Sequence, residues 1–504
     1  MSAPSERLRH AIENVASAGF QLSRDAFELL SVMDEMKVDD CVREAVEKAG
    51  QISPKPLVLT RDFFERPLVP TPEPSIVPSV STMKTPAKDF ESSVEVLADP
   101  TGKIASKGSL ESFLKYFQDR FERMSMILRQ RADVRGAQSI GSALEAPLNE
   151  KRKFIAMIMS KRERKGRIFL EVDDLEDTAT VIVLSEVDKA LFETAQKLSL
   201  DQVVCIEAAK GRNDLLIAKN IYLPDIPDRK PAKASDPVNV ALVSDIHFGS
   251  KTFLESAFRS MILWLNGKVG STDQIELAGR TKYVIIAGDL VDGVGVYPHQ
   301  EEELAVPDIY EQYKLLAEFI QGIPEYIEVI IIPGNHDATR QSLPQPAIFS
   351  EYAEPLYESR RVLSLGNPSE VRLHGVSFLL YHGTSLNDVI ASVPDMELHS
   401  PERAMEYLLR CRHLVPTYGM AASIAPEVED HLVMRNVPDI FESGHVHVIG
   451  LGNYRGTLII NSGAWQGQTE YQRKLGLEPT PGMLPVVNLQ TLQVSTINFA
   501  SSEV

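Results

Sequence analysis

The stretch Ala241–Ser250, ALVSDIHFGS, starts as an apolar strand and ends in Asp245, His247 and Gly249. Ionisable groups at the end of a buried strand are costly unless something compensates them. A metal ion compensates both. Four more apolar runs end in the same way. KYVIIAGD leads into GDLVDG, with Asp289 and Asp292, and EVIIIPGN opens GNHD, with Asn335, His336 and Asp337. SFLLYHG presents His382, and DIFESGH opens GHVH, with His445 and His447.

Alternation along a strand predicts that Asp245 and His247 point to one side, and that His445 and His447 do the same. Glycines beside them permit close backbone approach. Ligands of α/β sheets bind beyond the strand ends. The donors are oxygen and nitrogen without thiolate, a set that suits Mn²⁺, Fe or Zn²⁺ better than Cu(I) or an Fe–S cluster. One carboxylate bridging two ions ~3.5–4 Å apart is what two-metal hydrolysis of phosphoesters requires. Asp292 and Asp337 read as groups that support ligands or cap loops. His10, His299, His374, His399, His413 and His431 lack such context and read as structural.

The 504 residues predict two to four domains. A net charge of −18 gives no support to a broad nucleic-acid-binding surface. Three scattered cysteines, Cys41, Cys205 and Cys411, argue against a disulfide framework and for a reducing compartment. The polar start MSAPSERLRH does not read as a secretory signal, and no apolar run approaches ~20 residues. A cytoplasmic location is expected.

Helical spacing marks residues 1–50 as a small helical module, with Ser23 as a cap. Residues 51–89 read as a linker, because six prolines fall between Pro67 and Pro86. In 90–144, SVEVLADPTGK reads as a hairpin. An amphipathic helix follows, with Leu110, Phe113, Leu114, Phe117, Phe121, Met124 and Leu128 on one face, as core or subunit interface. Residues 145–228 give three strands, a helix and two strands, the order of an OB-fold barrel. Eight basic residues lie between Lys151 and Arg167, a local reversal of charge. Lys161, Arg162, Arg164 and Lys165 there form either a solvated hairpin tip or a contact to DNA phosphates or a partner. Residues 236–504 form the α/β region that carries the strand-end motifs.

Those motifs resemble the calcineurin-like metallophosphoesterases, with their D-x-H, G-D-x-x-D, G-N-H-D/E, strand-end H and G-H-x-H. The resemblance implies a four-layered αββα sandwich within an α/β multidomain chain. It implies two divalent ions, Mn²⁺ first and Fe, Zn²⁺ or Mg²⁺ otherwise. Asp245, His247 and His447 would hold one, Asn335, His382 and His445 the other, and Asp289 would bridge. His336 would protonate the leaving oxygen.

Three stretches that the superfamily does not require, GVGVYPHQEEELAVPDIYEQY, GNHDATRQSLPQPAI and NSGAWQGQTEYQRK, resemble the small-subunit family of the archaeal family-D DNA polymerase. This resemblance implies a proofreading 3′-to-5′ exonuclease acting on DNA 3′ ends and primer-template. A large catalytic subunit would carry the polymerase site in a heterodimer, and a sliding clamp would be reached indirectly. A purely structural polymerase subunit and a general metal-dependent phosphodiesterase are the alternatives.

Overall fold

The computed structural model describes residues 83–502 other than 361, and scattered residues between 15 and 59. The chain divides into two units, Met1–Val80 and Ser81–Val504. In the first, β1 (Gln21–Leu22) pairs in parallel with β2 (Val58–Leu59). Ser23 Oγ accepts the Ala26 N–H, as a helix cap does. Leu59 is buried in the same cluster as Val15, Phe20, Leu30 and Val42. The module's core therefore reaches into the segment expected to be linker. Pro67–Pro78 lies outside the described residues, as does His10.

In the second unit β3 (Val94–Ala98) is not half of a local hairpin. A helix, Leu110–Arg129, and a barrel follow it. The barrel strands are β4 (Lys151–Arg164), β5 (Arg167–Asp173), β6 (Thr178–Leu184), β7 (Val203–Lys210) and β8 (Leu215–Tyr222). They close in the order β4-β5-β6-β8-β7, with the helix Lys189–Gln196 between β6 and β7. Inward residues such as Phe154, Ile168, Leu170, Val181 and Ile206 fill the barrel.

The remaining strands are β9 (Asn239–Val243), β10 (Thr281–Ala287), β11 (Glu328–Ile332), β12 (Val362–Ser364), β13 (Ser369–Leu373), β14 (Val376–Leu380), β15 (Ile440–Ser443), β16 (Ile449–Tyr454), β17 (Thr457–Ser462), β18 (Met483–Asn488) and β19 (Val494–Asn498). They form two six-stranded sheets, β12-β11-β10-β9-β18-β19 and β16-β17-β15-β14-β13-β3. β3 is thus the edge strand of the second sheet, antiparallel to β13. Strands β9 to β12 are parallel, as are β14, β15 and β17. Parallel strands are covered on both faces, which explains why VNVALV, KYVIIA and EVIII are almost continuously apolar.

Alternate residues of these strands enter different cores. Val240, Leu242, Ile285 and Ile330 meet Val371, Phe378, Leu380 and Ile460 between the sheets. Ala241, Val243, Ile286 and Ile331 face the other way, onto the helices Glu255–Leu265 and Ile309–Gln321. Leu379, Phe441 and Ile459 of the second sheet pack on the helices Leu386–Ser392 and Pro401–Cys411. Helices therefore cover the outer faces of two facing sheets.

The helix Leu110–Arg129 does not bury the whole stripe read from its sequence. Leu110 and Leu114 are exposed, while Tyr116, Arg120, Met124 and Leu128 are buried. Arg120 Nε reaches Asp430 Oδ2 at 2.8 Å, and Asp430 also takes His413 Nε2 at 2.8 Å. Cutting one partner out of such a buried pair costs about 3–5 kcal/mol, because the other charge is stranded. This network fixes the helix to the second sheet's outer layer. The barrel is tied to the same layer: Tyr407 Oη lies 2.8 Å from Ser199 Oγ, and Asp201 accepts the Tyr418 N–H. Cys205 and Cys411 are free and buried; Cys41 is outside the described residues.

Candidate metal centre

The five motif loops leave the ends of β9, β10, β11, β14 and β15 and meet in one place. β9 ends at Val243 and β15 at Ser443, so Asp245, His247, His445 and His447 are loop residues. Strand alternation does not aim them, contrary to the sequence expectation. They are aimed by left-handed backbone: φ is 52° at Asp245, 50° at His247, 51° at Asp289, 73° at His445 and 59° at His447. Non-glycine residues pay for that conformation and concentrate it at functional sites. Two glycines make the crossing of loops possible. A Cβ on Gly444 would run into the Asp245 carboxylate, and one on Gly334 into that of Asp289.

Besides the overlapping group His247–Asp292–His336, ligand atoms gather in two groups, Asp245–His247–His447 and Asp289–His382–His445, each within 4.8 Å. Asp289 lies between them: its Oδ2 is 3.2 Å from His382 Nε2 and 3.7 Å from His247 Nε2. Asn335 Oδ1 is 3.1 Å from His382 Nε2. The second oxygens of the aspartates organise backbone. Asp289 Oδ1 accepts the His336 N–H and Asp245 Oδ2 the His445 N–H, both at 2.8 Å. Asp245 Oδ1 is buried and has no hydrogen-bond partner, although it lies 3.4 Å from His447 Nε2. An orphaned buried carboxylate oxygen among imidazoles is what a divalent cation satisfies, and the oxygen and nitrogen donors suit one.

The surrounding groups hold the ligands. Asp292 Oδ1 is 3.0 Å from His247 Nδ1, and Gln300 and Gln466 both reach Asp292. His382 Nδ1 meets the Ala287 carbonyl at 2.9 Å. Asp337 does not face the ligands. It takes the N–H groups of Leu290 and Gly334 and the Tyr313 hydroxyl, tying the second and third motif loops together. His336 is half-buried beside His247, with ring centroids 4.6 Å apart, and its Nδ1 is 2.7 Å from the Asp292 carbonyl.

The charges are mutually dependent. Burial opposes ionisation of Asp289, but His382, His336 and His247 hold its carboxyl well below the usual range. Burial likewise opposes a charge on His382, and Asp289 and Asp245 override it, raising the ring to about 9. Burial and the neighbouring His382 push His445 down to about 3. Burial, then the Asp289 charge, raises Asp337 to about 6.

Gln300, Gln466, Gln472 and Tyr313 were not identified from sequence. All four fall in stretches that carry the family resemblance, and Gln472 has a physical signal besides: Thr469-Glu470-Tyr471-Gln472 has the capping-box pattern, and the structure forms it. The remaining histidines are elsewhere. His413 bonds Asp430, His374 Nδ1 is 3.1 Å from Asp236, and His299 precedes a 3₁₀ turn.

The basic hairpin is exposed at its tip and engaged with the barrel at Lys161. β4 and β5 run to Arg164 and Arg167, leaving Lys165-Gly166 as the turn, both with positive φ. Lys161 Nζ donates to the carbonyls of Gln196 and Leu198 at 2.6 Å. Arg162 pairs with Glu171 at 2.7 Å. Arg164 and Lys165 are exposed, without an ion-pair partner among the described residues.

The sequence of the two-sheet domain places it in a class of DNA polymerase accessory subunits. Residues 240–446 match the B-subunit family of DNA polymerases alpha and epsilon. The DNA polymerase II small subunit of Methanothermobacter thermautotrophicus is 36% identical over 95% of this chain and 98% of its own length. That of Archaeoglobus fulgidus is 39% identical over 78% of each. That of Pyrococcus furiosus is 41% identical over 76% of this chain, which spans 63% of that longer protein. The solved S. pombe Stn1-ten1 complex matches 16% of this chain and 60% of its own, at 21% identity and a TM-score of 0.15. The chain belongs to the family of DNA polymerase II small subunits, the small subunits of the archaeal family-D polymerase. No helix among the described residues is long and apolar enough to cross a membrane.

Proposed function

We propose that this chain is the 3′-to-5′ exonuclease subunit of a replicative DNA polymerase, paired with a large subunit that holds the polymerase site. The α/β domain reads as a calcineurin-like metallophosphoesterase sandwich and the barrel as an OB-fold. The observation that carries the reading is the gathered ligand set, with the buried and unpartnered Asp245 Oδ1 at its centre. A polymerase subunit that had only a structural role would have no use for it.

Asp245, His247 and His447 would hold one ion, Asn335, His382 and His445 the other, with Asp289 between; Mn²⁺ fits these donors. When bound, the ions supply charge neutralisation and activate water for in-line attack on a phosphodiester. The chain's own residues do the rest. Asp292 and the Ala287 carbonyl fix the rings of His247 and His382. His336 points its Nδ1 at the Asp292 carbonyl, so Nε2 is the atom that delivers a proton to the departing 3′-oxygen.

A labelled, mismatched primer-template with Mn²⁺ tests this. Stepwise loss of single nucleotides from the 3′ end is expected. No cleavage would favour a structural subunit, and release of terminal phosphate without shortening would favour a general phosphatase.

A further inference from the structure

The histidines of the centre do not all hold their proton on the same side. His336 and His382 aim Nδ1 at backbone carbonyls, and His247 aims Nδ1 at Asp292. Those oxygens accept, so each Nδ1 carries the hydrogen and, in a neutral ring, Nε2 keeps its lone pair.

His447 differs from these three; His445 also meets an amide nitrogen, with its Nε2 3.1 Å from Nδ2 of the exposed Asn387. His447 Nδ1 lies 2.9 Å from Gln472 Nε2, an amide nitrogen, which donates. The amide is oriented by its other end. Gln472 Oε1 accepts the Thr469 N–H at 3.1 Å, one half of the capping box that starts the helix Glu470–Leu475. Turned over, the amide would set donor against donor at Thr469. His447 Nδ1 is therefore an acceptor, and the hydrogen of its neutral ring sits on Nε2. Nε2 lies 3.1 Å from His247 Nε2, whose lone pair faces it, and 3.4 Å from Asp245 Oδ1. A nitrogen that carries a hydrogen offers no lone pair to an ion.

We propose that Gln472 is a positioning residue that holds His447 in its non-ligating tautomer, so that ion uptake by Asp245, His247 and His447 requires the Gln472 amide to turn over and release Thr469. This rests on the reading of that trio as an ion site. The device makes one of the two sites weaker than its ligands alone would make it. The contrast lies within the site itself, where His247 has the carboxylate of Asp292 in the corresponding place. A carboxylate at position 472 would accept from Thr469 N–H and His447 Nδ1–H together, and it would keep the capping box.

The test is Gln472→Glu in the full chain, read by calorimetric titration with Mn²⁺ alone and by ¹⁵N NMR of His447 in ion-free protein. Expected are an affinity gain of about 10–100-fold at one site with the other unchanged, an Nε2–H ring in the wild type, and an Nδ1–H ring in the variant. Two-ion uptake with no gain, or an Nδ1–H ring in the ion-free wild type, overturns the proposal. A wild type that takes up no Mn²⁺ overturns the metal-centre reading itself, and the proposal with it.

Discussion

The centre at the sheet ends and the basic hairpin of the barrel both concentrate charge, under opposite conditions. At the centre, Asp245, His247, Asp289 and His382 are at most 2% exposed, and Asp245 Oδ1 lacks a partner. At the hairpin, Arg162, Arg164 and Lys165 are exposed, and water satisfies whatever Glu171 does not. Buried charge is kept only if something repays its desolvation, whereas exposed charge needs no explanation. The first region thus fits the proposed ions by its burial, and the second merely permits a ligand. Perturbing the first has correspondingly larger expected effects.

The largest is at Asp289, whose Oδ2 faces His247 on one side and His382 on the other. Asp289→Asn keeps the shape and removes the charge both groups share. Nuclease activity is expected to fall by several orders of magnitude, with bound metal reduced at both sites and the circular-dichroism spectrum retained. Near wild-type hydrolysis would remove Asp289 from the centre and dissolve the contrast between the regions.

Next is His336. Under the proposed role of proton donor, His336→Ala is expected to slow cleavage ~10²–10⁴-fold while bound metal stays near two ions per chain. Its proximity to His247 and Asp292 also places it in a possible ligand group. Metal counted by mass spectrometry decides: loss of an ion in step with activity would make His336 a ligand.

The motif residues were legible because their chemistry is local. An acid or imidazole after an apolar run stands out in one dimension. Their aim was not legible, because it depends on left-handed φ at five non-glycine residues, which loop crossing imposes from other parts of the chain. Long-range pairing hid other features as well. Val94–Ala98 looks like half of a hairpin until Ser369–Leu373, far along the chain, arrives beside it. The stripe on Leu110–Arg129 looked wholly apolar, yet its buried face includes Arg120, whose partner Asp430 is 310 residues away. Likewise Lys161 was grouped with the exposed hairpin cations because nothing nearby in sequence announces the carbonyls of Gln196 and Leu198.

A smaller effect concerns protons. His382 is raised to about 9 by Asp289 and Asp245, against burial. Its unfolded value is ~6.5. The ion-free fold therefore gains stability from this ring below pH ~6.5 and loses it as pH rises through about 9. To accept an ion, His382 must first give up that proton. Divalent-ion affinity at the Asp289–His382–His445 site is expected to rise about tenfold per pH unit between pH ~7 and ~9, and to level off above. Titration calorimetry in buffers of different ionisation enthalpy counts the released proton. An affinity flat over that range would mean that the ring is already neutral.

The smallest effect is expected at the hairpin, and it tests whether permission is used. Lys161 is committed to two carbonyls, so its loss would disturb the barrel and report nothing about ligands. The Arg162–Glu171 pair is exposed and worth at most ~1 kcal/mol, so it opens readily. Arg164 and Lys165, flanking the turn, are the informative pair. If they touch DNA phosphates, Arg164→Glu with Lys165→Glu is expected to weaken primer-template binding modestly. It should also flatten the log-affinity against log-salt slope by about 0.7–0.9 for each phosphate no longer neutralised. If they touch the large subunit, assembly measured by sedimentation weakens while the DNA slope is unchanged. Should neither move, the hairpin is a solvated turn, and the charge reversal seen in the sequence has no bearing on either partner.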